Sequence, residues 1–222
     1  MKVSINIPTS LNDITLNQYQ QWLKIADKKE MDNFLQQKLI EIFCNIPLKT
    51  VTAIKATDAD SIVNDILKLF KEESPFKDRF TLSGVEYGFI PDLNNMTLGE
   101  YVDLDNLLTE WEQMHIAMNV LFRPITYKKK KKWYNFLMWW NIDENKYLIE
   151  EYKAKENTNM KLMPLDIVFG AMTFFLTLNK ELQKNILSYL ATQTEVEISP
   201  QLRVSLLNGA GINLSIPYAM ET

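Results

Sequence analysis

The chain has 222 residues, 46% of them hydrophobic and 23% charged, a balance that supports a buried core and argues against wholesale disorder. A formal net charge of −4 argues against the broad basic field of non-specific DNA binders, so any nucleic-acid contact is expected to be local. The single cysteine, Cys44, excludes an internal disulfide, and the opening Lys2-Val3-Ser4-Ile5 is read as a strand pattern and not a signal peptide, which places the chain in a cytosol or in a particle assembled there.

Val3, Ile5 and Ile7 alternate with polar residues until Pro8, predicting a short N-terminal strand. Thr15 then fits an N-cap with Gln18 at N3, and Ile14 with Tyr19 fits a hydrophobic staple, opening a helix to about Ala26. Phe34, Leu35, Leu39, Ile42 and Phe43 predict a second helix from about Met31 to Asn45, stopped by Ile46-Pro47. The short polar joint between the two predicts an antiparallel helical hairpin. Thr57 to Asp60 is read as another capping box, opening a helix through about Glu72.

From Phe76 the period changes to two. Phe80 and Leu82 precede Ser83-Gly84, and Val85, Tyr87 and Phe89 follow it, predicting a β-hairpin near residues 78–90. A second copy of the opening motif comes next. Ile90-Pro91-Asp92-Leu93-Asn94-Asn95-Met96-Thr97-Leu98-Gly99-Glu100-Tyr101 repeats Ile7 to Tyr19 with one loop residue fewer. Met96, Thr97, Glu100 and Tyr101 take the N′, N-cap, N3 and N4 places. Leu107, Trp111, Met114, Met118 and Leu121 then predict a helix over Leu104–Phe122, closed by Arg123-Pro124.

Five consecutive lysines, Lys128, Lys129, Lys130, Lys131 and Lys132, abut Trp133, Tyr134, Phe136, Leu137, Met138, Trp139 and Trp140. This stretch and the polar residues after it read as an inserted segment over 127–160. A helix from Met163-Pro164 to about Ala191, with Leu165, Val168, Phe169, Met172 and Phe175 on one side, is expected at the centre of the core. After Thr192 the pattern fades into a tail. Ile167 to Leu178 and Trp133 to Ile142 are both too short for a bilayer crossing, which takes about 20 apolar residues. The expected fold is α+β, predominantly α-helical: a helical core with a short N-terminal strand and the hairpin. Its expected divisions are 1–75, 76–191 and 192–222, or one domain throughout.

The two Ile-Pro motifs, Leu121-Phe122-Arg123-Pro124-Ile125, Lys146-Tyr147-Leu148-Ile149-Glu150 and Met163-Pro164-Leu165-Asp166-Ile167-Val168-Phe169-Gly170-Ala171 together resemble a family of small proteins of tailed bacteriophages, including crAss-like and marine phages. The resemblance covers most of residues 1 to 190 and departs at Lys128 to Trp140, which is longer and more aromatic than the usual connection. It implies a virion or tail-assembly component, assembled in the host cytoplasm and present as a homo-oligomer or ring with other phage structural proteins. A tail assembly chaperone that leaves before maturation is the alternative role.

Catalytic groups are not indicated. His115, the only histidine, is read as a partly buried structural residue and Cys44 as a core thiol. Six glycines form no phosphate loop, and zinc-ligand spacing is missing, so no cofactor, metal or enzymatic activity is expected. Asp103 and Asp105, alone or with Asp92, have the look of a divalent-cation pair, but acidic residues near a helix start favour its dipole and that reading is preferred, as for Asp58 and Asp60. The methionines Met114, Met118 and Met172 fall on core stripes. The partner contact is expected at Trp133, Tyr134, Phe136, Trp139 and Trp140, residue types enriched in interface cores, with the lysine run as a charged rim. Phosphate contact by Lys128 to Lys132 with stacking on the aromatic rings is the nucleic-acid alternative, and a membrane-surface anchor the third.

Overall fold

The computed structural model describes residues 5–26, 31–91, 93, 96–128, 147–153, 157–175 and 177. They form a mostly helical α+β protein whose contacts divide into two units, Met1–Phe76 with Lys161–Thr222, and Lys77–Met160. The helix that follows Pro164 therefore groups with the N-terminal helices, whereas the sequence division joined it to the hairpin.

In the first unit, helices α1 (Leu16–Ala26), α2 (Asn33–Phe43), α3 (Leu48–Val51) and α4 (Ala56–Leu69) precede α7 (165–175). The first capping box is made as expected: the Thr15 N–H donates to Gln18 Oε1 at 2.9 Å and the Gln18 N–H to Thr15 Oγ1 at 3.3 Å. Gln18 Nε2 also donates to the Ile42 carbonyl at 2.8 Å. A first-turn residue of α1 thus meets the last turn of α2, as an antiparallel pair requires. Asp32, not singled out in the sequence, caps α2 through the Leu35 N–H at 2.7 Å. At its other end Asn45 has φ 51° and the Ile46 N–H returns to the Glu41 carbonyl at 3.2 Å, the pattern of a helix closed by a left-handed residue.

Two starts of helix satisfy each other. The Leu16 N–H donates to the Met163 carbonyl at 2.9 Å and the Leu165 N–H to Ile14 at 2.8 Å. Each is an orphan donor of a first turn, given a partner by an antiparallel bridge at Thr15 and Pro164. Beneath it Tyr19 packs edge-on to Phe70 and to Phe169, both at 5.4 Å, and Phe43 joins Phe70 at 5.3 Å. Leu165, Val168, Phe169, Ala171 and Met172 of α7 are buried, so this helix is central to its unit. Gly170 lets the chain at Pro75 pass close by, since a Cβ there would sit 2.6 Å from the Pro75 carbonyl oxygen.

The second unit carries β1 (Arg79–Leu82), β2 (Val85–Phe89), α5 (Leu98–Leu107), α6 (Met114–Leu121), β3 (Phe122–Lys128) and β4 (Tyr147–Ile149). The strands form an antiparallel sheet in the order β1-β2-β3-β4. The expected hairpin is present, with Leu82 opposite Val85 and positive φ at both Ser83 (50°) and Gly84 (80°), as a primed two-residue turn requires. Phe122, Arg123 and Pro124 pair with β2, while Ile125, Tyr127 and Lys128 pair with β4. Pro124, which has no N–H to give, stands where the strand changes partners.

Tyr147 ties this sheet together. Its ring lies against Gly88, where a Cβ would approach Cε2 to 2.2 Å, and its hydroxyl lies 2.7 Å from the Phe89 carbonyl and 3.1 Å from that of Asp78. The Arg79 guanidinium sits 5.0 Å from the ring centre.

Three expectations are corrected. Residues 5–7 belong to no strand; Val3 and Ser4 lie outside the described residues. The helix expected over 104–122 is two helices, α5 and α6, separated by Leu108 to Gln113 with a short 3-10 turn at Trp111–Gln113, and Phe122 to Pro124 is strand. Apolar residues keep helical spacing across this break, which no Gly or Pro marks. The Thr57–Asp60 box is not made: α4 starts at Ala56 after Lys55, and Thr57 Oγ1 turns to Asp58 at 3.4 Å. Of the helix expected to run to Ala191, residues 165–175 and 177 are helical and the rest lie outside the described residues.

Candidate functional site

The second copy of the repeated motif builds an unusual helix. Thr97 caps α5, its N–H donating to Glu100 Oε2 at 2.6 Å while the Glu100 N–H donates to Thr97 Oγ1 at 3.3 Å. The other oxygen of the same carboxylate holds Arg123 Nη1 at 2.8 Å, with both side chains largely buried. One turn on, the Tyr152 hydroxyl donates to Asp103 Oδ2. Burial, then that carboxylate, pushes the Tyr152 hydroxyl up to about 12. Helix α5 therefore turns two acidic side chains inward, where Arg123 neutralises one and Tyr152 solvates the other.

The outward face is the reverse. Leu98 is 79% exposed, Tyr101 58% and Val102 46%, and their i, i+3, i+4 spacing makes them neighbours on one side of the helix. These three apolar side chains face away from the core although Leu104 of the same helix is buried in it. The two copies differ here: Tyr19 of the first copy is fully buried, and its counterpart Tyr101 is not. Glu100 and Leu104, one turn apart, occupy the inward side of α5, and Tyr101 lies off it.

A second concave feature lies in the first unit. A groove of about 950 Å³ runs along α1 and α2, lined by Gln18, Gln21, Lys24, Lys38, Glu41 and Leu162 among others. Lys38 is engaged with Glu41 at 2.6 Å and Gln18 with its cap, so the groove is lined by side chains with structural duties.

The residues expected to make partner contacts, Trp133, Tyr134, Phe136, Trp139 and Trp140, lie outside the described residues, as do Lys129, Lys130, Lys131 and Lys132; Lys128 ends β3 opposite Tyr147. His115 and Cys44 are buried, and burial raises the Cys44 thiol to about 11. Asp103 lies beyond the first turn of α5 and bonds Tyr152, which corrects its assignment to the helix dipole. Asp58 does occupy the first turn of α4. Among the described residues no group of three or more His, Cys, Asp or Glu is placed to hold a metal ion, and no helix is long and apolar enough to cross a membrane.

The chain matches no family model, no curated protein and no solved structure. The exposed α5 face is absent from the sequence reading because the motif equates Tyr101 with Tyr19. The acidic i+2 and i+5 positions after Leu98, Glu100 and Asp103, were the available signal that this helix turns a polar side inward.

Proposed function

We propose that this protein is a non-catalytic structural or assembly component of a tailed bacteriophage particle, acting in the tail or neck through protein-protein contacts. The exposed Leu98, Tyr101 and Val102 on a helix that turns Glu100 and Asp103 inward carry this reading. Large apolar side chains grouped on one surface mark contact sites, and Tyr is among the residues enriched there. The sequence resemblance to phage virion proteins supplies the context. Helix α5 is well suited to present such a face, because its capping box and the Glu100–Arg123 pair fix its position on the sheet from the inward side.

The test is incorporation. A chain with Leu98→Ser, Tyr101→Ser and Val102→Ser changes only exposed positions and is expected to keep its fold by circular dichroism while failing to enter assembling particles. Normal incorporation of that variant would remove α5 as the contact. The chaperone reading predicts the same loss of partner binding but no copies of the wild-type chain in mature particles.

A further inference from the structure

We infer that the start of α5 pairs with the start of α5 in a second copy of this chain, about a two-fold axis at Thr97. This rests on the reading of α5 as a contact face and names its occupant. The first copy of the repeated motif shows how such a helix start is covered. There the Leu16 N–H donates to the Met163 carbonyl at 2.9 Å and the Leu165 N–H to the Ile14 carbonyl at 2.8 Å, bridging Thr15 and Pro164. Around that exchange Leu16 and Tyr19 of one helix and Leu165, Val168 and Phe169 of the other are buried, with Tyr19 edge-on to Phe169 at 5.4 Å.

The second copy has the same local geometry and lacks the cover. In both, the residue before the cap donates its N–H to the carbonyl three residues back, Ile14 to Leu11 and Met96 to Leu93, each at 3.3 Å. Both capping boxes close. Leu98 takes the place of Leu16 and Tyr101 that of Tyr19, yet they are 79% and 58% exposed. The Leu98 N–H, first of its helix, bonds to no described residue, whereas its counterpart in Leu16 is the donor to Met163.

Its own residues supply the complement. Met96-Thr97-Leu98 has the cap of Ile14-Thr15-Leu16 and also the Met-x-Leu of Met163-Pro164-Leu165, the segment that covers the first copy. Three and four residues after Leu165 stand Val168 and Phe169; three and four after Leu98 stand Tyr101 and Val102. The exposed trio therefore matches both sides of the exchange, and a surface that is its own complement pairs by a two-fold rotation. In that pair each Leu98 N–H donates to the Met96 carbonyl of the other copy, and each Tyr101 lies against the other copy's Val102, as Tyr19 lies against Phe169. Glu100 and Asp103 do not oppose the approach, since they turn inward to Arg123 and Tyr152.

Sedimentation velocity and cysteine cross-linking of the purified full chain test this. Wild type is expected to be a dimer, and the chain with Leu98→Ser, Tyr101→Ser and Val102→Ser, folded by circular dichroism, a monomer. Across an antiparallel bridge of this kind the paired Cα atoms stand about 4.5 Å apart, within the span of a disulfide. Thr97→Cys is therefore expected to cross-link to its own counterpart on mild oxidation, while wild type, whose one cysteine Cys44 is buried, does not. A monomeric wild type, a dimeric serine variant, or a Thr97→Cys chain that dimerises without cross-linking would each overturn the proposal. A monomeric wild type, combined with loss of the serine variant from particles, would overturn the occupant and leave the contact face standing. A wild-type dimer that the serine changes dissolve without excluding the chain from particles would keep the pair and overturn the particle contact.

Discussion

Replacing Gly88 by alanine tests the packing of the second unit at its tightest point. The added Cβ would lie 2.2 Å from Tyr147 Cε2 and 2.8 Å from both Cδ2 and Cζ, whereas carbon atoms rest at about 3.5–4.0 Å. The ring must therefore retreat by more than an ångström, which carries its hydroxyl away from the Phe89 and Asp78 carbonyls at 2.7 and 3.1 Å. Overpacking of this kind costs about 1–3 kcal/mol, and the lost hydrogen bond about 1 kcal/mol more. Gly88→Ala is thus expected to destabilise the sheet by about 2–4 kcal/mol, although alanine has no conformational disadvantage there because φ at Gly88 is not positive. Native-state hydrogen exchange of the Phe89 amide, bonded to Asp78 at 2.8 Å, reads this locally. In a Tyr147→Leu background, which removes the ring, the cost of Gly88→Ala is expected to fall below about 1 kcal/mol. Equal costs in both backgrounds would refute the proposed contact.

Glu100→Ala removes a helix cap and leaves Arg123, 12% exposed, as a buried unpaired cation, so a loss of about 3–5 kcal/mol is expected in urea unfolding. Glu100→Gln should cost less because its amide oxygen can still accept the Thr97 N–H; equal losses would show that capping plays no part. Gly170→Ala pits a helix-propensity gain of about 1 kcal/mol against a Cβ placed 2.6 Å from the Pro75 carbonyl oxygen; a net loss of about 1–2 kcal/mol is expected, and stabilisation would deny the close approach. Burial raises the hydroxyls of Tyr147 and Tyr152 from 10.0 to about 12. The folded chain then holds protons that the unfolded chain releases, so their contribution is complete below pH 10 and is lost as pH rises toward 12. Absorbance titration at alkaline pH should show two late-ionising tyrosines, and substitution of both by Phe should remove them; an unchanged titration curve would dismiss the assignment.

What the sequence displays of this fold is what local chemistry decides. Both Thr-x-x-Gln/Glu boxes form because donor and acceptor lie three residues apart, and Ser83-Gly84 announces its turn by the backbone angles it permits. The bond exchange of Ile14–Leu16 with Met163–Leu165 joins distant segments that share no pattern. The α5–α6 break is hidden because Leu107, Trp111 and Met114 keep helical spacing across it, while the residues actually buried are Leu104, Leu108 and Met114. Pro124 reads as a helix stop and is instead the junction between two ladders of β3. The exposed face of α5 escaped for a related reason. Tyr101 matches Tyr19 in the motif, but Glu100, paired with Arg123 of another element, shares the inward side of α5 with Leu104, and Tyr101 faces outward.

Quantitative mass spectrometry of purified phage particles tests the proposed role most directly. A structural component predicts a fixed, integral number of copies per particle that persists through purification, together with cross-links from a photoreactive group placed at position 101. Particles that mature normally and contain no copies of the chain would contradict it.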